Sequence, residues 1–512
     1  MKKAFIISFL LMFFCFRLIA QDVGIGTTTP NAAALLHLDI GNNTVKGLLV
    51  TGTYTGGSTV PDLNAGCRMM FYTGKAAFRV GYCSNTQWNN ANVGDYSTAI
   101  GYSSRATGTY SMCLGTNTWA SGQLSTTMGD GTIASGGTST AMGTNTTASG
   151  LTSTAMGQGT TAFGSYSTAI GFNTTANGAA SLSMGNGSST TVAGTNSFAG
   201  GVNCLAGAAN AVALGNGTTA NGSASLAIGS GSNTTVAGIN SFAGGLNSQA
   251  SAANAVALGN ATIANGAGAV AMGTNTTASG ITSVAMGAST IASGNSSFAV
   301  GNGTNAIGNY SFAVGNVTTA SGDYSFAAGK SVSTNGHQGS FFLGDSDPNN
   351  KGLRFVSVND QFVTRFNGGY YLISSNFGAD VGVQVLPGGN SWTTASDVRL
   401  KENFLPVNGE AFLRNIAGMN LTTWNYKTQN PATFRHYGPM AQDFYAAFGK
   451  DGLGTIGCDT LINQQDFLGI NLIAIQALVK RTDELNGENA VLKSELRELK
   501  ARMEKLENHI AK

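Results

Sequence analysis

Residues 139–152, STAMGTNTTASGLT, run without a gap into residues 153–166, STAMGQGTTAFGSY. The same fourteen-residue line can be laid back to Ser97 and forward beyond residue 320. Glycines mark it at 101, 115, 129, 143, 157, 171 and 185, and after one sixteen-residue unit at 201, 215 and 229. After a second such unit they run through 245, 259, 273, 287, 301, 315 and 329, which makes seventeen turns in register. A second glycine follows seven residues later in most units, as at Gly108, Gly122, Gly136 and Gly150, with Ala208 and Ala252 as exceptions. So regular a period signals a repeat architecture.

The period sets the kind of repeat. Fourteen residues are too few for a helical hairpin but fit two short strands and two tight turns. Before the first glycine the positions alternate. Thr, Val or Phe and Ile, Met, Leu or Val point one way, while Ser and the recurring alanine (Ala99, Ala141, Ala155, Ala169) point the other. Stacked turns of this kind form a parallel β-roll rising about 4.8 Å per turn, so the whole is on the order of 80 Å tall. Between Ser97 and Gln338 the formal charges are Arg105, Asp130, Asp323 and Lys330. A nearly uncharged roll with large apolar side chains outside is an aggregation liability as a monomer. Burial against copies of itself removes that liability, and a closed ring of three is the expected solution.

Composition excludes several classes. Charged residues make up 10% of the 512, against about 25% in ordinary domains, and Gly stands at 72 against Pro 7. Hydrophobic residues reach 42%, so a core is attainable and disorder is not expected. A net charge of +2 without a basic, aromatic-interleaved cluster argues against nucleic acid. No G-x-x-x-x-G-K-[ST] loop occurs, so no nucleotide cofactor is expected. Asn triplets in the repeats match glycosylation sequons but read first as turn residues.

The first twenty residues have the order of a signal peptide: MKK, the apolar run AFIISFLLMFFCF, then LIA before Gln21. The run is shorter than the ~20 residues a membrane span needs, so export without a retained transmembrane segment is expected. Removing it leaves Cys67, Cys83, Cys113, Cys204 and Cys458, too scattered for a disulfide framework or a metal site. Cys67 and Cys83 either form one bridge or remain free.

The S-x-A-x-G … T-x-A-x-G unit resembles the head repeat of trimeric autotransporter adhesins, over residues 97–344. That resemblance implies a left-handed, trimeric β-roll displayed at a bacterial cell surface or secreted, with a host-surface or glycan ligand. The family's C-terminal membrane β-barrel has no counterpart after residue 345. VGIGTTTP, near the start, resembles the mature N-terminus of exported proteins of the Bacteroidetes group. Residues 21–96 read as an N-terminal β region, and residues 345–393, with LRFVSVNDQFVTRF and VGVQVLPGG, as a β neck.

At residue 394 the composition turns ordinary. Leu478, Leu485, Leu492, Leu499 and Leu506 are spaced by seven. Ile475, Leu496 and Met503 fall three residues before members of that row, as do the polar Thr482 and Asn489. Residues 475–512 therefore read as a coiled coil, with three strands to match the roll.

Between neck and coil, SDVRLKENF, TTWNY and GPMAQD occur in that order. Residues 394–512 resemble the C-terminal intramolecular chaperone of phage endosialidases and tailspikes, serine-peptidase family seventy-four. The resemblance implies an α+β domain (394–474) that trimerises, assists folding of the fibre before it, and cuts itself off. Carried over, Ser396 is the nucleophile, Lys401 its base and Ser396–Asp397 the cut bond, with Gln442 and Asp443 candidate supports. The residues alone also permit a blander reading, with Ser396 capping an element and Lys401 a solvated charge. Lys serves as a base only where burial lowers its pKa. Positions i and i+5 lie on different faces of a helix or strand. The pair therefore needs a loop, a turn or a neighbouring chain, and a meeting that awaits three assembled chains suits a single cut. His436, lacking a paired carboxylate, reads as an interior or interface residue. The combined expectation is an exported adhesin-like fibre with a self-releasing chaperone. The alternative is a glycan-degrading tailspike or phage-type tail fibre, disfavoured by the scarcity of the carboxylate pairs glycoside hydrolysis uses.

Overall fold

The computed structural model describes residues 23–25, 34, 36–39, 48–57, 59–346, 354–375, 381–450 and 454–511. The expected signal peptide, residues 1–20, lies outside them. The chain divides into two compact units, residues 1–370 and 371–512.

The first unit is mainly β, a parallel solenoid of about 18 turns. A typical turn has a five-residue strand, Thr140–Thr144, and a two-residue strand, Thr147–Ala148. Thr140 pairs with Thr154, Ala141 with Ala155, Met142 with Met156 and Gly143 with Gly157. Ala148 pairs with Ala162 in the second ladder. The sixteen-residue units keep the same columns, with Ser183 beside Ala199 and Ala227 beside Ala243. The extra residues are therefore absorbed in turns, not in strands.

Alternation along each strand sorts the side chains. Ala141, Ala148 and their equivalents face inward with no exposed surface, while Thr140 and Met142 on either side are half-buried outside. Corner dihedrals recur too: Gly143 has φ +119° and Asn145 φ +52°. Some hydroxyls of the wall are satisfied locally, whereas those of Thr146, Ser153, Thr160 and Ser167 have no hydrogen-bond partner among the described residues. The Ser139 hydroxyl donates to the Gly136 carbonyl at 2.7 Å, and Ser125 and Ser225 repeat this with Gly122 and Gly222. On the outer face Phe298, Phe312, Phe326 and Phe341 stack with ring centroids 4.9, 4.9 and 4.2 Å apart. All four remain half-buried in the single chain.

The stack continues beyond the repeats at both ends. Gly66–Tyr72 and Ala77–Cys83 form an antiparallel hairpin whose second strand joins Thr98–Tyr102 in parallel. Phe341–Gly344 pairs with Phe362–Arg365, and Val332–Ser333 with Arg354–Phe355. Near both ends large side chains replace alanine in the lumen. Arg79 stands beside Ala99 in register and is fully buried. Its guanidinium donates to the carbonyls of Phe78 (2.8 Å), Ser97 (2.9 Å) and Ala106 (3.0 Å), and to the Ser97 hydroxyl (2.8 Å). Desolvation pulls its pKa down to about 10. At the other end Phe342, Val332 and Val356 are fully buried.

Cys67 and Cys83 are both free. In the hairpin Cys67 lies opposite Tyr82 and Cys83 opposite Gly66. Neighbouring registers point to opposite faces, so Cys67 is exposed and Cys83 buried, and no bridge forms.

A three-stranded sheet, Tyr370–Ile373, Gly382–Val385 and Thr393–Thr394 in that order, starts at the boundary residue and runs on in the second unit. Helices α1 (Gly409–Gly418), α2 (Ala441–Phe448) and α3 (Gln464–Ile510) follow, with a short hairpin Thr422–Trp424 and His436–Gly438. The Asn408 side chain accepts from the Ala411 amide, and that of Asn463 from Gln465 and Asp466, which sets the starts of α1 and α3. Phe444, Phe448 and Ile470 form the core with Phe412, Ile416 and Phe467 packed around them. Among the described residues no helix is long and apolar enough to cross a membrane.

Candidate active site

Strand Thr393–Thr394 pairs antiparallel with Gly382–Val385 and ends two residues before Ser396. The chain then makes one 3-10 turn, Val398–Leu400, and returns to extended backbone at Lys401 (φ −126°, ψ 150°). This turn folds the i,i+5 pair together. Lys401 Nζ donates to Ser396 Oγ at 2.7 Å within one chain. The expectation that the two meet only in a three-chain assembly is thereby corrected: a turn reverses direction over fewer residues than a helix or strand can. Ser396 does not cap the turn either. That role belongs to Asp397, whose Oδ1 accepts from the Arg399 amide at 2.9 Å.

Arg399, which the sequence did not single out, also forks onto the same carboxylate. Its Nε lies 3.0 Å from both Asp397 oxygens, and Nη2 lies 2.5 Å from Oδ2. These bonds hold the Asp397 carboxyl below its ordinary range and raise the Arg399 guanidinium. The sequence signal was Asp-x-Arg beside the candidate nucleophile. Ser396 and Lys401 are exposed in the single chain.

Gln442 and Asp443 lie in the first turn of α2. Among the described residues neither bonds to Ser396 or Lys401; Asp443 instead lines a cavity of about 390 Å³ with Arg414, Asn415 and Asn420. His436 stacks on Trp424 at 4.6 Å, with Nε2 3.0 Å from Gln429 Oε1, a half-buried arrangement with no bond to the pair among the described residues.

The apolar row expected of the coil lies on α3 and is exposed along its length. Ile475, Leu478, Leu485, Leu492, Leu496, Leu499, Met503 and Leu506 all keep at least half of their surface accessible. The helix begins at Gln464, earlier than the coil boundary, because Phe467, Ile470 and Ala474 pack into the domain core.

Residues 93–118, 120–146, 148–174, 206–232, 237–304 and 306–331 match the YadA head domain repeat, the fourth of these stretches beginning at Ala206 and the fifth covered by overlapping copies. The solenoid carries YadA head repeats. Residues 396–453 match the chaperone of endosialidase family, and no curated protein matches the chain. The endosialidase-chaperone match opens on Ser396 itself, the hydroxyl partner of Lys401. It extends through α1 and α2, while the exposed seam of α3 follows it. The YadA-type repeats account for the alanine-lined columns, the glycine corners and the outward apolar rows.

Proposed function

We propose that this chain is an exported, trimeric, adhesin-like surface fibre whose C-terminal domain assembles three chains and then cuts itself off at Ser396–Asp397. The observation that carries the reading is the 2.7 Å hydrogen bond between Lys401 Nζ and Ser396 Oγ at the first residue of the matched domain. Trimerisation is supported by the exposed heptad row of α3 and by the half-buried aromatic columns of the solenoid.

Assembly also supplies what the single chain lacks. Lys401 is exposed in the single chain, and on this reading neighbouring chains of the trimer shield it from bulk water, where a lysine amine is more readily neutral. That amine takes the proton of Ser396 Oγ, and the oxygen attacks the carbonyl carbon of a Ser396–Asp397 peptide. Attack on its own carbonyl would close a strained β-lactone, so the reacting carbonyl is a neighbouring chain's. The C–N bond breaks, the Asp397 amine leaves with the proton returned by Lys401, and water hydrolyses the ester on Oγ. The products are residues 21–396 and a tail of 116 residues, 397 to 512 inclusive. On a denaturing gel wild type gives two fragments and Ser396→Ala one intact chain. An uncut wild-type trimer removes the peptidase and leaves only the chaperone role.

A further inference from the structure

The fork of Arg399 on Asp397 lies between the two members of the pair in sequence, and neither the family match nor the sequence reading gives it a role. Asp397 is the nearest carboxylate in sequence on the N-terminal side of Lys401, four residues before it, and the 3-10 turn between them is short. Such a carboxylate, were its oxygens free, is the kind of partner that would compete with the Ser396 hydroxyl for an ammonium. Yet Lys401 makes no ion pair among the described residues, while Asp397 gives both oxygens and its capping bond to Arg399. The guanidinium suits this task. Its planar fork engages both carboxylate oxygens at once, whereas an ammonium offers a single point of charge.

We propose that Arg399 is a positioning residue for the self-cleavage, holding the Asp397 carboxylate away from Lys401 so that the lysine amine is left to Ser396. The proposal rests on the cleavage reading above and adds a residue to it. The charged groups flanking Lys401 on its own segment are Asp397, Arg399 and Glu402, and no ion pair from another element reaches it among the described residues.

Without Arg399 the freed carboxylate turns to Lys401 and stabilises its ammonium. An opposite charge beside an ammonium favours its charged form. A base that must be neutral then becomes scarcer.

The test follows the full-length chain made by cell-free synthesis and shifted into buffers from neutral to alkaline pH. Cleavage is timed on denaturing gels and trimer formation on native gels. Arg399→Ala is expected to form trimers, to cut more slowly at neutral pH, and to recover at higher pH. Arg399→Lys is expected to fall between wild type and Arg399→Ala. Removing the competing charge as well, in Asp397→Asn with Arg399→Ala, restores much of the rate, which a merely structural loss would not allow. An Arg399→Ala protein with wild-type rate and pH profile overturns the proposal while the Ser396→Ala result keeps the peptidase. A slow single variant that the second substitution does not rescue also overturns it. A wild type that never cuts overturns the cleavage reading and this inference with it.

Discussion

Replacing Gly157 by alanine tests the stacking argument at a single atom. Gly157 sits at φ +121°, and a β-carbon there would overlap the carbonyl oxygen of Gly171 in the next turn. It would also lie 2.9 Å from the carbonyl carbon and 3.1 Å from the nitrogen of that residue. The obstacle is backbone held in a ladder, so no side chain can swing aside. Backbone strain costs about 1–3 kcal/mol and overpacking about 1–3 kcal/mol, together about 4 kcal/mol. Turns of a solenoid contact only their neighbours, so the damage stays local. Amides of residues 150–171 are then expected to exchange about a thousandfold faster in hydrogen-exchange mass spectrometry, while distant turns keep their protection. Gly217→Asn is the control. Gly217 has φ +61° with open space around it, and its column holds Asn145, Asn173 and Asn203 at similar positive φ. Its stability is expected to change by no more than about 0.5 kcal/mol. Wild-type exchange in Gly157→Ala, or equal damage in Gly217→Asn, refutes the reasoning.

Mixed trimers of wild type with a longer, tagged Ser396→Ala chain are expected to yield cut tagged chain, because the neighbouring chain's Ser396 supplies the nucleophile; an uncut tagged chain beside cut wild type removes attack between chains. Leu485→Ala combined with Leu492→Ala removes two members of the seam, at about 2–5 kcal/mol per buried leucine. Sedimentation should then find monomers and the gel an uncut chain, whereas an undiminished trimer argues against the coiled coil. Alkylation of the native, unreduced protein is expected to label Cys67 and Cys458 and spare Cys83, Cys113 and Cys204, which are buried. A peptide linking Cys67 to Cys83 would contradict the hairpin register.

Much of the fold was legible in the sequence because stacking turns the fourteen-residue period into columns. Once Ala141 lies beside Ala155 and Gly143 beside Gly157, the size and backbone demands of one turn are those of all. The ends were not legible, since Arg79 looks like any strand arginine until its register partner Ala99 places it in the lumen. Nor was the state of Cys67 and Cys83, which a shift of one residue in the hairpin would reverse.

At the candidate site the sequence by itself determined the residue types, their order and the spacing that excludes a shared helix or strand face. The solenoid's alternation and the leucine row were likewise its own, because each depends only on neighbours at a constant offset. Tertiary structure alone decided that one turn of 3-10 backbone closes Ser396 on Lys401, and that Arg399 takes the intervening carboxylate. Those contacts depend on the dihedral angles of five successive non-repeating residues, and no periodicity in the chain encodes them.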